Sequence, residues 1–210
     1  QRQRVGLGLL ERLADIERFE LGQRVGGRQH PLRQAHQCAA ALGGRTFVLT
    51  TTLRALPLVA ETLRAGLDAA GALHVEVLMQ GSGPKRALLQ RFLAARAAVL
   101  VGSQTCWEGI DVPGDALQCV LIDKLPFPPP NDPLIEARVK RLEAQGRNPF
   151  NDCFVAAAAV SLKQGAGRLI RSERDRGVLM VCDPRMLSKP YGKRVWQSLP
   201  AMRRSRVTTA

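Results

Sequence analysis

Five short apolar runs constrain what this chain can become: residues 46–50 (TFVLT), 74–79 (HVEVLM), 97–102 (AAVLVG), 116–123 (ALQCVLID) and 177–182 (GVLMVC). Their aliphatic residues occupy successive positions, so both faces of each strand need cover. Segments with helical spacing lie between them. Residues 53–70 form an amphipathic helix with Leu56, Val59, Ala60, Leu63 and Leu67 on one side. Pro84 opens a helix that runs through Arg96, as proline in a first turn should, and two more are expected near 133–145 and 151–162. Alternating strands and helices predict an α/β fold, a parallel β-sheet with helices on both faces. In such sheets ligands bind at the C-terminal ends of the strands.

The flanks are less informative. Within residues 1–44, ERLADIERFEL has helical spacing and QRVGGRQHP reads as a turn or loop. The expected division is a poorly defined segment over 1–44, a domain over 45–199 and a basic tail over 200–210. The chain opens on Gln, which suggests a piece of something longer. The run LPFPPPNDP after the fourth strand reads as a stiff connector. No apolar run approaches the ~20 residues that span a bilayer, so no membrane partner is expected. The five cysteines are scattered and form no C-x-x-C pair, which argues against zinc or a disulfide framework and suits a reducing cytoplasm. His30, His36 and His74 are too dispersed to suggest a metal site.

Charge points to a polyanionic partner. The net charge is +13, and residues 163–206 hold twelve Lys or Arg against three Asp or Glu, which places +9 of it near the C-terminus. Within that region stands QGAGRLIRSERDRG (164–177). On a helix, Gln164, Arg168 and Arg171 fall at i, i+4 and i+7 and share a face, while Leu162, Ala166, Leu169 and Ile170 turn toward a core. Each interior glycine costs ~1 kcal/mol relative to alanine. Gly165 and Gly167 therefore make sense if a ligand or another backbone comes close. Two neighbouring guanidiniums match phosphate oxygens and could stabilise charge developing on a γ-phosphate. A solvated basic face with ion pairs to Glu173 and Asp175 is the simpler alternative.

After the third strand the chain reads SQTCWEGIDVPGDAL (103–117). Ser103 and Thr105 offer small hydroxyls suited to a phosphate backbone. Glu108, Gly109 and Asp111 suit a nucleotide's ribose or the orientation of the arginines, although Asp111 also reads as an ordinary turn residue. Trp107 could stack on a base or pack, Trp196 is expected in the core, and Lys124 follows the fourth strand.

Together these stretches resemble a known family. VGSQTCWEGIDVPG is similar to motif V, QGAGRLIRSERDRG to motif VI, and TFVLTTTLRAL to motif IV of superfamily 2 helicases. WEGIDVPG followed by VLIDKLPFPPPNDP resembles the DinG and YoaA group, relatives of XPD. Cys106 departs from the aromatic residue usual in that group. The resemblance implies the second RecA-like motor domain of a 5′–3′ DNA helicase. It implies that Arg168 and Arg171 act on the triphosphate held by an N-terminal RecA-like domain, with Gln164, Glu108, Gly109, Asp111 and Gly167 around that nucleotide. It further implies that Thr50, Thr51, Ser103, Thr105 and Lys124 touch single-stranded or forked DNA.

No G-x-x-x-x-G-K-[ST] loop and no DEAH-like box occur in this sequence. The resemblance implies that ATP and Mg²⁺ are shared with the N-terminal motor domain, and that a 4Fe–4S cluster lies only there. The chain alone is expected not to hydrolyse ATP. The competing reading is a non-catalytic basic nucleic-acid-binding α/β module. The motor reading expects Gln164, Arg168 and Arg171 grouped with Glu108 and Asp111 at the C-terminal edge of the sheet, a grouping the simple module does not need.

Overall fold

A computed structural model describes residues 35–103, 106, 112, 116–169 and 177–200, without the Arg168 side chain. The elements run α1 (Ala35–Ala41), β1 (Thr46–Thr50), α2 (Leu56–Ala69), β2 (Glu76–Met79), α3 (Lys85–Ala94), β3 (Ala98–Ser103), β4 (Cys119–Ile122), α4 (Pro133–Ala144), α5 (Ala156–Leu169), β5 (Val178–Val181), α6 (Arg185–Ser188) and α7 (Pro190–Ser198). A short 3₁₀ turn, Leu53–Ala55, leads into α2, and a π-helix, Phe150–Val155, leads into α5.

The five strands form one sheet in the order β2-β3-β1-β4-β5, with every pairing parallel. This is the parallel α/β architecture that the alternation of apolar runs predicts. Successive residues of a strand point to opposite faces, and both faces are covered. On one, Phe47, Leu49, Leu100, Val120 and Ile122 pack with Leu88 and Phe92 of α3 and with Leu162, Ala166 and Leu169 of α5. On the other, Val48, Val99, Val101 and Leu121 meet Val59, Leu63 and Leu67 of α2 and Ala35 and Ala39 of α1. All five apolar residues expected on the inner side of α2 are buried. Each fully buried leucine contributes about 1.5–3 kcal/mol relative to exposure, so α2 is held chiefly by this face.

Local chemistry sets the boundaries. Asp132 caps α4, its side chain accepting from the Leu134 and Ile135 backbone N–H groups at 2.8 and 3.2 Å, with Pro133 in the first turn. Gly44 turns the chain into β1 at φ +85°, where a Cβ would fall 2.3 Å from the Ala98 backbone nitrogen. Only glycine fits that approach. The sequence predicts an α-helix from 151, whereas the chain first winds as a π-helix. Apolar spacing over a single turn does not distinguish an i→i+5 from an i→i+4 ladder.

Chain direction places the candidate site. β1 connects toward β2, and β4 connects toward β5 on the other side. The order reverses between the adjacent strands β1 and β4, so a crevice opens at their C-terminal ends, where doubly wound sheets place ligands.

Candidate functional site

Three predicted DNA contacts gather at that crevice. Thr50, Thr51 and Lys124 line a shallow, mostly apolar notch with Leu49, Ile122, Pro126 and Ser161. Ser103 ends the neighbouring strand as the register partner of Thr50. Thr51 and Lys124 are exposed, whereas Thr50 and Ser103 are buried. The Thr50 hydroxyl donates to the Thr52 carbonyl at 3.0 Å. Ser103 donates from both its backbone N–H and its hydroxyl to Gln80 Oε1, at 2.7 and 2.9 Å. Gln80 extends from the end of β2, where its own N–H donates to the Val101 carbonyl at 2.8 Å. Its amide therefore ties the ends of β2 and β3 together. Sequence reasoning missed Gln80; the available signal was a polar residue directly after an apolar strand.

Two aspartates complete this edge. Asp123 follows β4 and is 3% exposed, with its N–H donating to the Leu49 carbonyl and its Oδ1 accepting no hydrogen bond among the described residues. Asp183 follows β5 and anchors the connector by accepting from the Leu125 N–H at 2.8 Å. It also takes Arg185 Nε at 2.9 Å and Nη2 at 2.6 Å. Burial pushes the Asp183 carboxyl up, but the Arg185 guanidinium and the N–H groups of Leu125 and Arg185 outweigh burial and hold it below the ordinary carboxylate range. The Asp183 hydrogen bond in turn raises Arg185, whose guanidinium carbon lies 5.3 Å from the centre of the Phe127 ring. The proline-rich connector thus leaves β4 in a fixed direction, as its composition predicts.

The nucleotide candidates stand elsewhere. α5 runs antiparallel to the strands, because a crossover helix between parallel strands returns the chain to the starting edge. Ser161 lies at the notch, whereas Leu169 lies at the beginning of β4 and β5. A Cβ placed on Gly177 would fall 2.9 Å from Leu169 Cδ2 and 3.2 Å from the Gln118 carbonyl oxygen, and that carbonyl accepts from the Val178 N–H at 2.8 Å. The expectation that Gln164 and Arg168 stand at the C-terminal edge is therefore corrected. Arg168, next to Leu169, belongs to the N-terminal edge, and Gln164 lies one turn back along the helix. Gln164 and Gly167 are exposed, and among the described residues nothing lies within 4 Å of a Cβ built on Gly167. Leu162, Ala166 and Leu169 are buried on the opposite side, the division the helical spacing predicts. Arg171, Thr105, Glu108, Gly109, Asp111, Ile170 and Trp107 lie outside the described residues. Trp196 packs against the core.

The profile of the family described as "Helicase C-terminal domain" matches residues 35–202. The chain belongs to that family. This helicase C-terminal domain is 44% identical over 163 residues to the ATP-dependent DNA helicase YoaA of Haemophilus influenzae, covering 78% of this chain and 24% of the relative. It is 39% identical over 179 residues to the ATP-dependent helicase DinG of Mycobacterium tuberculosis, covering 85% of this chain and 26% of the relative. The chain thus spans about a quarter of the length of the curated relatives it matches. An XPD helicase structure superposes with a TM-score of 0.53 at 20% identity, over 84% of this chain and 32% of that one. That likeness supports the RecA-like fold. The identities to YoaA and DinG bear out the resemblance to that group read from motifs V and VI.

Among the described residues, no group of three His, Cys, Asp or Glu side chains could hold a metal ion, and no helix is long and apolar enough to cross a membrane.

Proposed function

We propose that this chain is the second motor domain of an ATP-dependent DNA helicase that moves 5′ to 3′ along single strands. The observation that carries this reading is the match of residues 35–202 to the helicase C-terminal family, together with relatives named ATP-dependent DNA helicases. Gln164 and Arg168 do not join the C-terminal edge as the sequence leads one to expect of a motor, so the geometry adds only that the two groups are joined through one core. The C-terminal edge of the sheet collects Thr50, Thr51, Ser103 and Lys124, while α5 carries Gln164 and Arg168 toward the N-terminal edge. Helix and sheet share one continuous core, so a force applied at one edge moves the other.

In this reading the N-terminal RecA-like domain of the same protein holds ATP and Mg²⁺ and presents the triphosphate to Arg168 and Arg171. Their guanidiniums stabilise charge that develops on the γ-phosphate, and Gln164 senses its presence. Glu108, Gly109 and Asp111, between β3 and β4, link that nucleotide to Ser103 and Thr105 on the DNA side. Gly167, with open space around it, lets the facing domain approach closely. Thr51 and Lys124 meet the DNA backbone directly, and the buried Thr50 and Ser103 hold the strand ends that present it. Hydrolysis releases the arginines, the two domains part, and the grip on the strand alternates. Homology to proteins named ATP-dependent DNA helicases supports this assignment.

The decisive experiment compares the isolated chain with the two-domain protein. The isolated chain binds single-stranded DNA but hydrolyses no ATP. In the two-domain protein, Arg168→Ala retains most nucleotide binding and loses turnover by about 10³-fold or more. Normal turnover in that variant, or DNA-stimulated hydrolysis by the isolated chain, overturns the reading. DNA affinity in the two-domain protein that ignores nucleotide altogether favours a basic binding module instead.

A further inference from the structure

Aromatic residues are scarce in this chain, nine of 210, yet four of them meet at one corner of the C-terminal edge. Phe127 comes from the connector after β4, Phe150 and Phe154 from the π-helix, and Tyr191 from the first turn of α7. The Phe150 ring is central, its centroid 5.9 Å from Phe127, 5.2 Å from Tyr191 and 6.3 Å from Phe154. The planes of Phe150 and Phe154 differ by only 23°. Phe127, Phe154 and Tyr191 are half-buried, whereas Phe150 is 43% exposed and leaves a ring open to solvent. The π-helix spends poorer backbone geometry on this arrangement, and such turns concentrate at functional sites.

The surroundings are cationic. Arg185 lies over Phe127. Arg194 is brought beside Phe150 by donating from Nη1 to the Asn151 carbonyl at 3.2 Å. Asp183 pairs with Arg185 and Asp152 with Arg147, which balances those four charges, and Arg194 adds a further positive charge beside them. The corner also continues the crevice of Thr50, Thr51 and Lys124, because Pro126 lines that crevice and Phe127 follows it.

The geometry points to a base-stacking shelf for single-stranded nucleic acid, with Phe150 as the exposed ring and Arg194 as its cationic border. The inference rests on the DNA reading of the C-terminal edge and extends it from phosphate contacts to contacts with bases. Every base has a π-face, so such a shelf grips the strand without reading sequence, and arginine adds cation–π attraction. Exposed aromatic surface with charge complementary to a polyanion suits this occupant better than an apolar protein surface.

The test measures fluorescence anisotropy of a labelled oligo-dT with the full chain. Phe150→Ala weakens binding by about tenfold, the scale of one lost stacked base, and Phe150→Trp restores it. An abasic strand of the same length binds the native chain as weakly as oligo-dT binds Phe150→Ala. A 2-aminopurine strand changes its emission on binding the native chain and not on binding the variant. Equal oligo-dT affinity for the native chain and Phe150→Ala, with an unchanged far-UV spectrum, overturns the shelf while leaving the C-terminal-edge DNA site standing. Absence of any single-strand binding by the native chain overturns both.

Discussion

Thr50 and Ser103 are register partners at the last rung of the β1–β3 ladder, and neither hydroxyl points to solvent. One is held by the Thr52 carbonyl and the other by Gln80. Their contribution to the C-terminal edge is therefore to shape it. Of the described candidates at this edge, Thr51 and Lys124 are the exposed ones.

Lys124 stands between two buried residues, Asp123 and Leu125, so its backbone is fixed while its side chain reaches solvent. Lys124→Ala is expected to weaken single-strand binding several-fold, with a loss of about 0.7 from the slope of log affinity against log salt, the value of one phosphate contact. Titrations of a labelled oligonucleotide at several salt concentrations check this. An unchanged slope removes Lys124 from the DNA path. Thr50→Val, at a buried position, is expected to leave the slope intact.

Gln80 accepts from two donors of Ser103. Gln80→Ala removes that acceptor in a half-buried setting and is expected to cost about 1–3 kcal/mol of unfolding free energy. Urea melts of the two chains report the difference. A midpoint equal to that of the native chain means that the β2 and β3 ends do not depend on this amide.

Asp183 predicts an acid transition. Its folded-state pKa is depressed relative to the unfolded chain. Its stabilisation is thus complete above the unfolded value of about 4 and is lost as pH falls through the folded value. Asp183→Asn is expected to melt several degrees lower near neutral pH, with the gap closing below about pH 4. Thermal melts across that range measure it, and a gap independent of pH contradicts the assignment.

Three thiols lie at or near the interface of α1 with the sheet. Burial pushes Cys38 up to about 11 and Cys182 to about 12. Cys119, fully buried, rises well above the ordinary range for the same reason. All three are protonated at pH 8, and the thiolate is the reactive form. Iodoacetamide is expected to leave them unmodified in the folded chain and to label them after denaturation, as read by peptide mass spectrometry. Rapid labelling of Cys119 in the folded chain contradicts the packing of α1.

Much of this architecture is legible in the residues. Continuous runs such as AAVLVG announce strands buried on both faces, and the spacing of Leu56, Val59, Ala60, Leu63 and Leu67 announces the buried side of α2, because local burial writes its period into local sequence. Gln164 and Gly167 likewise fall on the exposed side of α5, opposite Leu162, Ala166 and Leu169. What escapes this reading depends on partners distant in sequence. Gln80 gains meaning only when β2 lies beside β3, and Asp183 only when β5 lies beside β4. Phe150 and the three rings around it meet because three separate elements end at one corner.

The edge on which each group stands shows the same division. The sequence by itself determined the α/β class, the strands, the buried helix faces and the family motifs, since each depends on side chains within a few residues of one another. Only the tertiary structure decided that β1 sits between β3 and β4, which brings Thr50, Ser103 and Lys124 to one edge. It also decided that α5, descending against the strands, carries Arg168 to the other edge. Strand order and helix direction arise from closing a parallel sheet with right-handed crossovers, and no periodicity along the chain encodes which end of the sheet a residue will reach.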